Sequence, residues 1–396
     1  MKIFYFYQYF STSQGSWGTR VHEFTREWVK NNVNVEVTVI TSLYYKSDLK
    51  SSKFRESQQF DGVNVEVLGI KVNNKDGFGK RLFSFIAYSL FSSVYALFGK
   101  YDVAIASSGP ITVGLPGLIA KWVRRKKLVF EVRDLWPQGA IELGIIKNSL
   151  LIKMAYRFEK FCYRSADLIV TLSPGMKDEV LGKLPQKKVI SITNAANIEL
   201  FSTLVEVDLS KYELQPQKYA LYAGNIGKVN NVEWMLEAAK LLTEARSDIK
   251  VVFIGDGQLK TYLEGRKESE NIDNLVFLPL MPKTELVGFI QNAMVSLVPL
   301  ANTPVLATSS PNKLFESLAA GIPVIITTEG WMKELVEVEK LGYYVNPEES
   351  KSLKGLLNRL ERPNESEKER IKNFARDKFD KTVLANEFLT ALNEIA

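Results

Sequence analysis

The feature that most restricts the fold is a strand, a glycine-containing loop and a helix that follow one another in each half of the chain. In the first half, the apolar segment 2–9 runs into the loop 10–19, and apolar residues then recur with helical spacing. In the second half, the apolar segment 219–223 runs into the loop 224–228, which a further helical pattern follows. Strands that alternate with helices form parallel sheets covered by helices. We therefore predict an α/β protein with two Rossmann-like halves.

The length of the chain also favours two domains. The sequence has 396 residues, whereas a single hydrophobic core rarely grows beyond about 250–300 residues. The segment 200–217 shows no apolar periodicity and contains Pro216 near its end, as is typical of a linker. We predict a first domain over residues 1–203 and a second over residues 204–375.

The stretch 309–328 predicts a helix whose start suits a phosphate group. Ser310 is of a type preferred as an N-cap, and Pro311 suits the first helical position. Unpaired N–H groups and the positive end of the helix dipole favour an anion there, and Lys313 adds a cation. Glu316 shares a helix face with Lys313, where a carboxylate would suit the vicinal diol of a ribose. The spacing equally allows a solvated Lys–Glu pair.

Glycines at the ends of other predicted strands are further candidates for contact with a ligand. Gly15 and Gly18 lie in the first loop, and Gly227 lies beside Lys228 in the loop after segment 219–223. Such glycines let backbone N–H groups approach a diphosphate. Asp256 is followed by glycine after another strand, and it fits a position beside a base and ribose. Ordinary turns account for the same residues on spacing alone.

Composition excludes several classes of site. The sequence has one cysteine and one histidine, Cys162 and His22, so metal sites built from these side chains are nearly excluded. A lone cysteine cannot form an internal disulfide, which favours the cytosol. The net charge of +6 indicates an anionic partner without choosing between nucleic acid, phospholipid and nucleotide. We interpret His22 as a surface or core histidine rather than a catalytic one.

The segment 82–98 is uncharged and rich in aromatic and aliphatic residues. Its length lies at the lower edge of what crosses a bilayer, and its serines weaken that interpretation. We expect an amphipathic or buried helix with one side facing a membrane. The basic run 124–127 would hold an anionic membrane surface beside it, although such runs are often solvated helix ends.

A resemblance to a known family rests on the run from Pro311 to Val324. The pattern P-x-K-x-x-E-x-x-A-x-G-x-P-V resembles the nucleotide-sugar motif of retaining glycosyltransferases of family 4, which have the GT-B fold, and in particular the subfamily that builds O-antigens and capsules from amino sugars. The G-N-I-G loop at 224–227 is similar to that subfamily as well. The chain departs from the family pattern at three positions. Thr308 stands where the family has its first glutamate, and Asn225 and Asn230 stand where the family commonly has an Arg and a Lys.

The resemblance implies two Rossmann-like domains that face each other across a cleft, with a last helix near 376–396 that crosses back to the first domain. It implies transfer of a sugar, an N-acetylated hexosamine, from a UDP-sugar with retention and with no metal or other cofactor. Lys313, with backbone from Ser310 to Leu314, would bind the diphosphate, and Glu316 the ribose. The whole donor-binding set is then Gly15, Gly18, Asn225, Gly227, Lys228, Asp256, Ser309, Ser310, Asn312, Lys313, Leu314 and Glu316.

The segment Arg133-Asp134-Leu135-Trp136-Pro137 resembles the place where many family members carry His-Asp. Asp134 would orient or deprotonate the acceptor hydroxyl, which makes Asp134 and Glu316 the catalytic candidates. Asp134 equally suits a structural carboxylate paired with Arg133. Acceptor contacts would come from Arg133, Trp136 and Glu142. We interpret Glu131 as an exposed or paired residue within its strand.

The partners implied are a nucleotide sugar, a glycan acceptor linked to polyprenyl diphosphate and an anionic membrane surface, with no nucleic acid. The corresponding location is the cytoplasm, peripheral at the inner face of the cytoplasmic membrane. Three alternatives stay open: a catalytically silent partner that binds a nucleotide sugar, a UDP-N-acetylhexosamine epimerase of the same fold, and a nicotinamide oxidoreductase.

Overall fold

The computed structural model describes residues 1–12, 14–15, 19–73, 76–142, 144–349 and 351–396, without the side chain of Phe78. The chain divides into two compact units. Unit 1 comprises Met1–Thr193 and Lys381–Ala396, and unit 2 comprises Asn194–Asp380. The first boundary lies at Thr193 rather than at residue 203. Residues 194–203 pack within unit 2, where the Ala196 N–H donates to the carbonyl of Phe379 over 2.9 Å.

In the described part of unit 1, eight strands form one sheet in the order β3-β4-β2-β1-β5-β6-β7-β8. All pairs are parallel except β3 with β4, which are antiparallel. Strands β5 to β7 are buried on both faces apart from the first residue of β6, as parallel strands between helical layers must be. The strands are β1 Lys2–Phe6, β2 Glu36–Tyr44, β3 Arg55–Phe60, β4 Val63–Val72, β5 Val103–Ser108, β6 Lys127–Val132, β7 Leu168–Thr171 and β8 Val189–Ser191.

The connections between these strands carry α1 Arg20–Asn31, α2 Phe78–Phe98, α3 Gly114–Trp122, α4 Gln138–Glu142, α5 Ser149–Ser165 and α6 Pro174–Lys183. Helix α5 begins where Asn148 accepts hydrogen bonds from the N–H groups of Leu150 and Leu151. Helix α6 begins with Ser173 as N-cap and Pro174 at its first position.

In the described part of unit 2, six parallel strands form a sheet in the order β11-β10-β9-β12-β13-β14. This is the doubly wound order, in which the strand sequence reverses between β9 and β12. Ligands of such sheets bind outside the carboxyl ends of the strands at that reversal. The strands are β9 Tyr219–Asn225, β10 Lys250–Asp256, β11 Leu275–Leu278, β12 Val295–Val298, β13 Val324–Ile326 and β14 Gly342–Tyr344.

The helices of unit 2 surround this sheet and its apolar core, which is centred on residues such as Leu236, Phe253 and Leu297. They are α7 Ile198–Ser202, α8 Val232–Glu244, α9 Lys260–Ser269, α10 Lys283–Gln291, α11 Pro304–Ala307, α12 Asn312–Ala319, α13 Trp331–Val338, α14 Ser352–Leu357 and α15 Glu365–Phe379.

The last helix, α16 Lys381–Asn393, belongs to unit 1 although α15 belongs to unit 2. It packs on α1, where the indole N–H of Trp28 donates to the carbonyl of Ala385 over 2.7 Å. The rings of Trp28 and Phe388 meet edge to face with centroids 5.3 Å apart. The helix near the C-terminus therefore starts at Lys381, whereas the sequence placed its start near residue 376.

Helix α2 turns its serines inward and much of its apolar surface outward. Ser84, Ser89, Ser92 and Ser93 are buried, whereas the side chains of Phe83 and Phe98 are 73% and 75% exposed. Tyr88 ties the helix to the sheet, because its hydroxyl donates to the carbonyl of Ile40 over 2.7 Å. Residues Gly79–Phe98 are long and apolar enough to cross a membrane by length and composition alone, a property shared by core helices of soluble proteins.

Candidate functional site

Helix α12 begins at the carboxyl edge of the unit 2 sheet, but one residue later than the sequence indicated. Its N-cap is Pro311, and no side chain caps it. Ser310 is buried and serves another purpose, since its hydroxyl accepts the N–H of Asn194 over 3.3 Å. The side-chain amide of Asn194 also donates to the carbonyl of Ser310 over 2.6 Å. The prediction that Ser310 caps the helix is wrong because Asn194 occupies this hydroxyl.

Among the described residues, no partner accepts some of the N–H groups at the start of α12. The first N–H groups of any helix have no acceptor within the helix. Here the N–H of Leu314 donates to the carbonyl of Pro311 over 3.1 Å, so Leu314 does not offer its amide to a ligand. Asn312 is exposed beside it, and Lys313 follows. The backbone N–H groups of Asn312 and Lys313 are therefore the ones positioned to donate hydrogen bonds to an anion.

Lys313 reaches from α12 to the end of strand β9. Its ammonium donates to the side-chain oxygen of Asn230 over 2.9 Å and lies 4.2 Å from the ring centroid of Tyr222. A Cβ atom built on Gly224 would lie 3.8 Å from the same ammonium. Burial lowers the pKa of Lys313 to about 7. No carboxylate forms an ion pair with it in the described part of the chain, so Lys313 is a half-buried lysine whose nearest described partners are neutral.

The carboxyl end of β9 and the loop that follows it are held close to the carboxyl end of β10. The N–H of Ile226 donates to the carbonyl of Asp256 over 2.9 Å. Gly255 has a φ of +150°, and a Cβ atom there would lie 2.0 Å from the carbonyl oxygen of Gly224. This close approach is possible only for glycine. Lys313 and the 224–228 loop, two elements predicted separately, are thus brought together within unit 2.

Other predicted donor contacts surround this point. Asn225, Lys228 and Asp256 are exposed, and Gly227 is buried. The carboxylate of Asp256 accepts the N–H of Gly257 over 2.8 Å, and a β-turn follows in which the N–H of Lys260 donates to the carbonyl of Gly257 over 3.2 Å. Ser309 is half-buried, and its carbonyl accepts the indole N–H of Trp331 over 3.0 Å.

Glu316 is buried on α12 and does not pair with Lys313. Its carboxylate accepts the ammonium of Lys283, the first residue of α10, over 2.7 Å. The interpretation of Lys313 and Glu316 as a solvated pair is therefore wrong, because Glu316 pairs with Lys283 and Lys313 donates to Asn230. Sequence reasoning missed Lys283, which lies 33 residues before Glu316 in the chain and carries no local signal.

In unit 1, the loop after β1 is held by a carboxylate that the sequence did not reveal. Asp48 accepts the hydroxyl of Ser11 over 2.7 Å and the N–H of Thr12 over 2.9 Å. These hydrogen bonds lower the pKa of Asp48, although its partial burial, the largest single influence, acts in the opposite direction. A Cβ on Gly15 would lie 1.7 Å from the hydroxyl oxygen of Ser11. Gly18 lies outside the described residues.

The segment after β6 carries the predicted acceptor residues. The guanidinium of Arg133 lies 4.5 Å from the ring centroid of Tyr7, and among the described residues it forms no contact ion pair with Asp134. The two charges still interact, because desolvation raises the pKa of Asp134 and the charge of Arg133 opposes that rise. A structural role of Asp134 beside Arg133 therefore stays a prediction. Asp134 is exposed, Trp136 is half-buried, and Glu142 accepts the side-chain amide of Gln138 over 2.9 Å.

Glu131 lies in strand β6, two residues before Arg133, where it is fully buried and belongs to a network. It accepts the hydroxyls of Tyr5 over 2.7 Å and Ser107 over 2.5 Å, and it pairs with Arg20 over 3.3 Å. Burial alone would raise the pKa of Glu131, but these partners and Arg133 bring it below its ordinary value. Of the two options left by the sequence, exposed or paired, the structure shows the paired one.

His22 is a core residue of unit 1. It is buried, its ring meets the ring of Phe10 edge to face, and its Nε2 lies 3.3 Å from a carboxylate oxygen of Asp61. Burial lowers its pKa, so the ring is neutral near pH 7. No group of three or more His, Cys, Asp or Glu side chains that could hold a metal ion occurs among the described residues.

Comparison with known protein families identifies both units. Residues 207–378 match the model of glycosyl transferases group 1, and residues 15–195 match that of a glycosyl transferase 4-like domain. Together the two matches span most of the chain. The chain belongs to the group 1 glycosyltransferases. The matches agree with the fold described above, since each covers one parallel sheet and its helices.

Curated relatives are distant and match over part of their length. WcaI of Escherichia coli, named as a glycosyl transferase of colanic acid biosynthesis, is 25% identical over 214 residues, which is 52% of each chain. MJ1059 of Methanocaldococcus jannaschii, named an uncharacterized glycosyltransferase, is 27% identical over 222 residues, or 55% of this chain and 52% of the relative. The chain thus spans about half the length of the curated relatives it matches.

Solved structures confirm the GT-B fold over the whole chain. Sucrose-phosphate synthase of Thermosynechococcus elongatus is similar with a TM-score of 0.73 and 15% identity, over 99% of this chain and 98% of that chain. HepE of Anabaena, solved with UDP, is similar with a TM-score of 0.66 and 15% identity over 100% of both chains. At these identities the likeness establishes the fold alone.

Proposed function

We propose that this glycosyltransferase moves a sugar, an N-acetylated hexosamine, from a UDP-sugar to a lipid-linked glycan acceptor. The observation that carries the donor half of the proposal is Lys313. A lysine that is partly withdrawn from water beside a glycine loop and a helix start, with only neutral partners among the described residues, favours an anion as its ligand. A diphosphate supplies that anion, and the amides of Asn312 and Lys313 supply donors for its oxygens.

The same residues would also stabilise the transition state of sugar transfer. As the bond between sugar and diphosphate breaks, negative charge grows on the leaving diphosphate. Preorganised donors and a cation stabilise such charge most effectively where water is excluded. Lys313 and the start of α12 would stabilise the leaving group in this way, so no metal ion is assigned to the step.

Glu316 is proposed to accept the hydroxyls of the ribose. Its pairing with Lys283 leaves acceptor sites on the carboxylate, because an ionised carboxylate offers about four lone-pair positions. The uridine diphosphate assignment also draws on likeness of fold, since HepE is described in complex with UDP-glucose and a structure from Escherichia coli with UDP-2-fluoro glucose.

Asp134 is proposed to orient or deprotonate the acceptor hydroxyl. It follows strand β6 at the carboxyl edge of the unit 1 sheet, and its carboxylate forms no hydrogen bond or ion pair within the described chain. Functional residues of open α/β sheets gather at this edge. Arg133, Trp136 and Glu142 are proposed to contact the acceptor from the same segment.

A membrane-linked acceptor is supported by α2. Its outward face presents Phe83, Leu90, Val94 and Phe98 to solvent, and Arg124 donates to the carbonyl of Gly99 just beyond the helix end over 3.3 Å. An apolar helix face beside a basic run suits an anionic bilayer. We therefore propose a peripheral location at the inner face of the cytoplasmic membrane, and a role in bacterial surface polysaccharide synthesis such as O-antigen or capsule formation.

Release of UDP tests this function and separates it from the alternatives. We expect UDP release from UDP-N-acetylhexosamine only when membrane lipid from a polysaccharide-producing bacterium is added. A silent partner would bind the nucleotide without releasing UDP. An epimerase would interconvert the sugar without an acceptor, as fits a Listeria monocytogenes protein of similar fold described as a UDP-N-acetylglucosamine 2-epimerase. Either result would overturn the transferase assignment.

Chelation tests the metal-independent mechanism separately. Transfer that proceeds at an unchanged rate in excess EDTA is the expected result, because Lys313 and helix α12 are assigned the diphosphate charge. Loss of transfer in EDTA that added Mg²⁺ restores would show that a cation carries part of that charge.

A further inference from the structure

Helix α5 has an exposed face that the donor and acceptor sites do not use. Lys153, Arg157, Lys160 and Arg164 recur every three or four residues along it and are exposed. Residues with this spacing lie on one side of a helix. None of these four forms an ion pair in the described part of the chain, whereas the one acidic residue of the helix, Glu159, is buried and pairs with Lys183 over 3.0 Å.

An apolar strip runs along α5 beside the basic one. Leu150, Met154 and Phe161 are exposed by 66%, 56% and 48%, and they share a helix side adjoining the basic residues. A shallow open groove of about 480 Å³ follows the basic side, lined by Lys153, Arg157 and Lys160 together with Ser149, Ile152 and Tyr156. Soluble proteins rarely leave such a face exposed without a partner.

The apolar strip of α5 adjoins the helices that carry the other exposed apolar residues of unit 1. Gly114 of α3 sits against α5, since a Cβ there would lie 2.4 Å from the sulfur of Cys162. Helix α3 packs on α2 at its other side, and Trp122 at its end is 61% exposed while its indole donates to Ser165 of α5. Helices α2, α3 and α5 therefore pack in one layer, and each carries exposed apolar or aromatic side chains.

We propose that α5 is a second membrane contact of unit 1, which lies in the plane of an anionic bilayer with its apolar strip in the acyl boundary and its basic strip on phosphate headgroups. This deepens the proposed function, on whose membrane-linked acceptor it rests. Interfacial helices combine these two strips. A second copy of the chain fits the face poorly, because a symmetric contact would place the four cations of one copy against those of the other.

Flotation with vesicles measures this contact without using activity. We expect the full chain to float with vesicles of phosphatidylcholine containing about 30% phosphatidylserine, and to bind phosphatidylcholine alone far more weakly. Replacing Lys153, Arg157 and Lys160 by Gln should weaken binding at least about tenfold, since each basic residue near an anionic surface contributes about fivefold. Leu150→Gln with Met154→Gln should weaken binding to the same vesicles as well.

A matched control removes the same charge elsewhere. Lys340→Gln, Lys351→Gln and Lys378→Gln replace three exposed lysines of unit 2, and this variant should float like the original chain. Equal binding by the α5 charge variant and this control would overturn the proposal. So would a concentration-dependent dimer, measured by sedimentation, that the α5 changes abolish, because a second copy would then occupy the face.

Measuring UDP binding for every variant distinguishes failure of the donor assignment from failure of the proposed membrane contact of α5. An α5 variant that binds UDP normally but no longer floats supports the contact and shows an intact unit 2. If the original chain binds no UDP and still floats through α5, the donor assignment fails while the membrane contact stands. If it binds UDP and floats regardless of α5, only the membrane contact of α5 fails.

Discussion

At the residue scale, Lys313 is expected to change its protonation when a diphosphate binds. With a pKa of about 7, it is mostly neutral at pH 8 before binding. A bound diphosphate favours the ammonium and raises that pKa, so binding must take up a proton. Calorimetry at pH 8 in two buffers of different ionisation enthalpy should show uptake of most of one proton per UDP bound.

The sign of the pH dependence follows from the same shift. The pKa of Lys313 is lower in the free protein than in the UDP complex. UDP affinity should therefore fall about tenfold per pH unit above pH 7, until the pH reaches the pKa of Lys313 in the complex. The Lys313→Met variant should show neither proton uptake nor this decline. An affinity that rises between pH 7 and pH 9, or an uptake that persists in Lys313→Met, would contradict the assignment.

Glu316 and Lys283 give a second prediction at this scale. Glu316→Ala should weaken UDP affinity by about 1.5–3 kcal/mol, or roughly tenfold to a hundredfold, through loss of a charge-assisted hydrogen bond. Lys283→Met should have a smaller effect of the same sign, because Lys283 contacts the carboxylate and holds it in position. An effect of Glu316→Ala within twofold would remove the ribose assignment.

At the scale of elements, the contact between the carboxyl ends of β9 and β10 depends on Gly255. Alanine there would place a Cβ 2.0 Å from a backbone oxygen at a φ of +150°. We expect Gly255→Ala to lower the free energy of unfolding by at least about 2 kcal/mol, measured by chemical denaturation. It should also weaken UDP binding, because the 224–228 loop lies beside Lys313.

Gly265 provides the matched control for this change. It lies inside α9, where a Cβ atom would meet no other atom within 4 Å. Gly265→Ala should raise the free energy of unfolding by about 0.5–1 kcal/mol, since glycine is unfavourable in a helix interior. Equal effects of the two substitutions would show that the close approach at Gly255 is not what fixes the loop.

Elements with strong local patterns could be predicted from the sequence. The strand, glycine loop and helix of each half, and helix α12 with its lysine, depend on residues that are neighbours in the chain. The details that failed depend on distant residues. Ser310 loses its capping role to Asn194, which lies 116 residues away, and Glu316 gains Lys283 from another helix. Such partners have no signal within a short window of sequence.

The direction in which the serines of α2 face could also not be predicted from the sequence. In the sequence they weaken the interpretation of the segment as a membrane span, but the sequence does not say which way they face. In the structure, the hydroxyl of Ser89 donates to the carbonyl of Phe85 over 2.8 Å, and that of Ser93 to the carbonyl of Ser89 over 2.6 Å. Serines satisfied by their own helix can be buried, which leaves the apolar side chains to face outward.

At the scale of the whole molecule, each unit contributes a separate part of the proposed reaction. Unit 2 holds the cation, the glycine loop and the carboxylate assigned to the donor, whereas unit 1 holds Asp134 and the outward apolar helix layer. The chain changes unit at Thr193 and again at Lys381, with α16 packed on α1. Changes in donor affinity should therefore follow substitutions in unit 2, and changes in membrane binding should follow substitutions in unit 1.

Equilibrium binding of UDP to the full chain at pH 7 tests the central claim most directly. The claim is that Lys313 at the start of α12 binds the diphosphate. We predict saturable binding that Lys313→Met weakens at least about tenfold, whereas Lys378→Met, which removes an exposed lysine of the same unit, leaves the affinity unchanged. An affinity of Lys313→Met equal to that of Lys378→Met would contradict the claim.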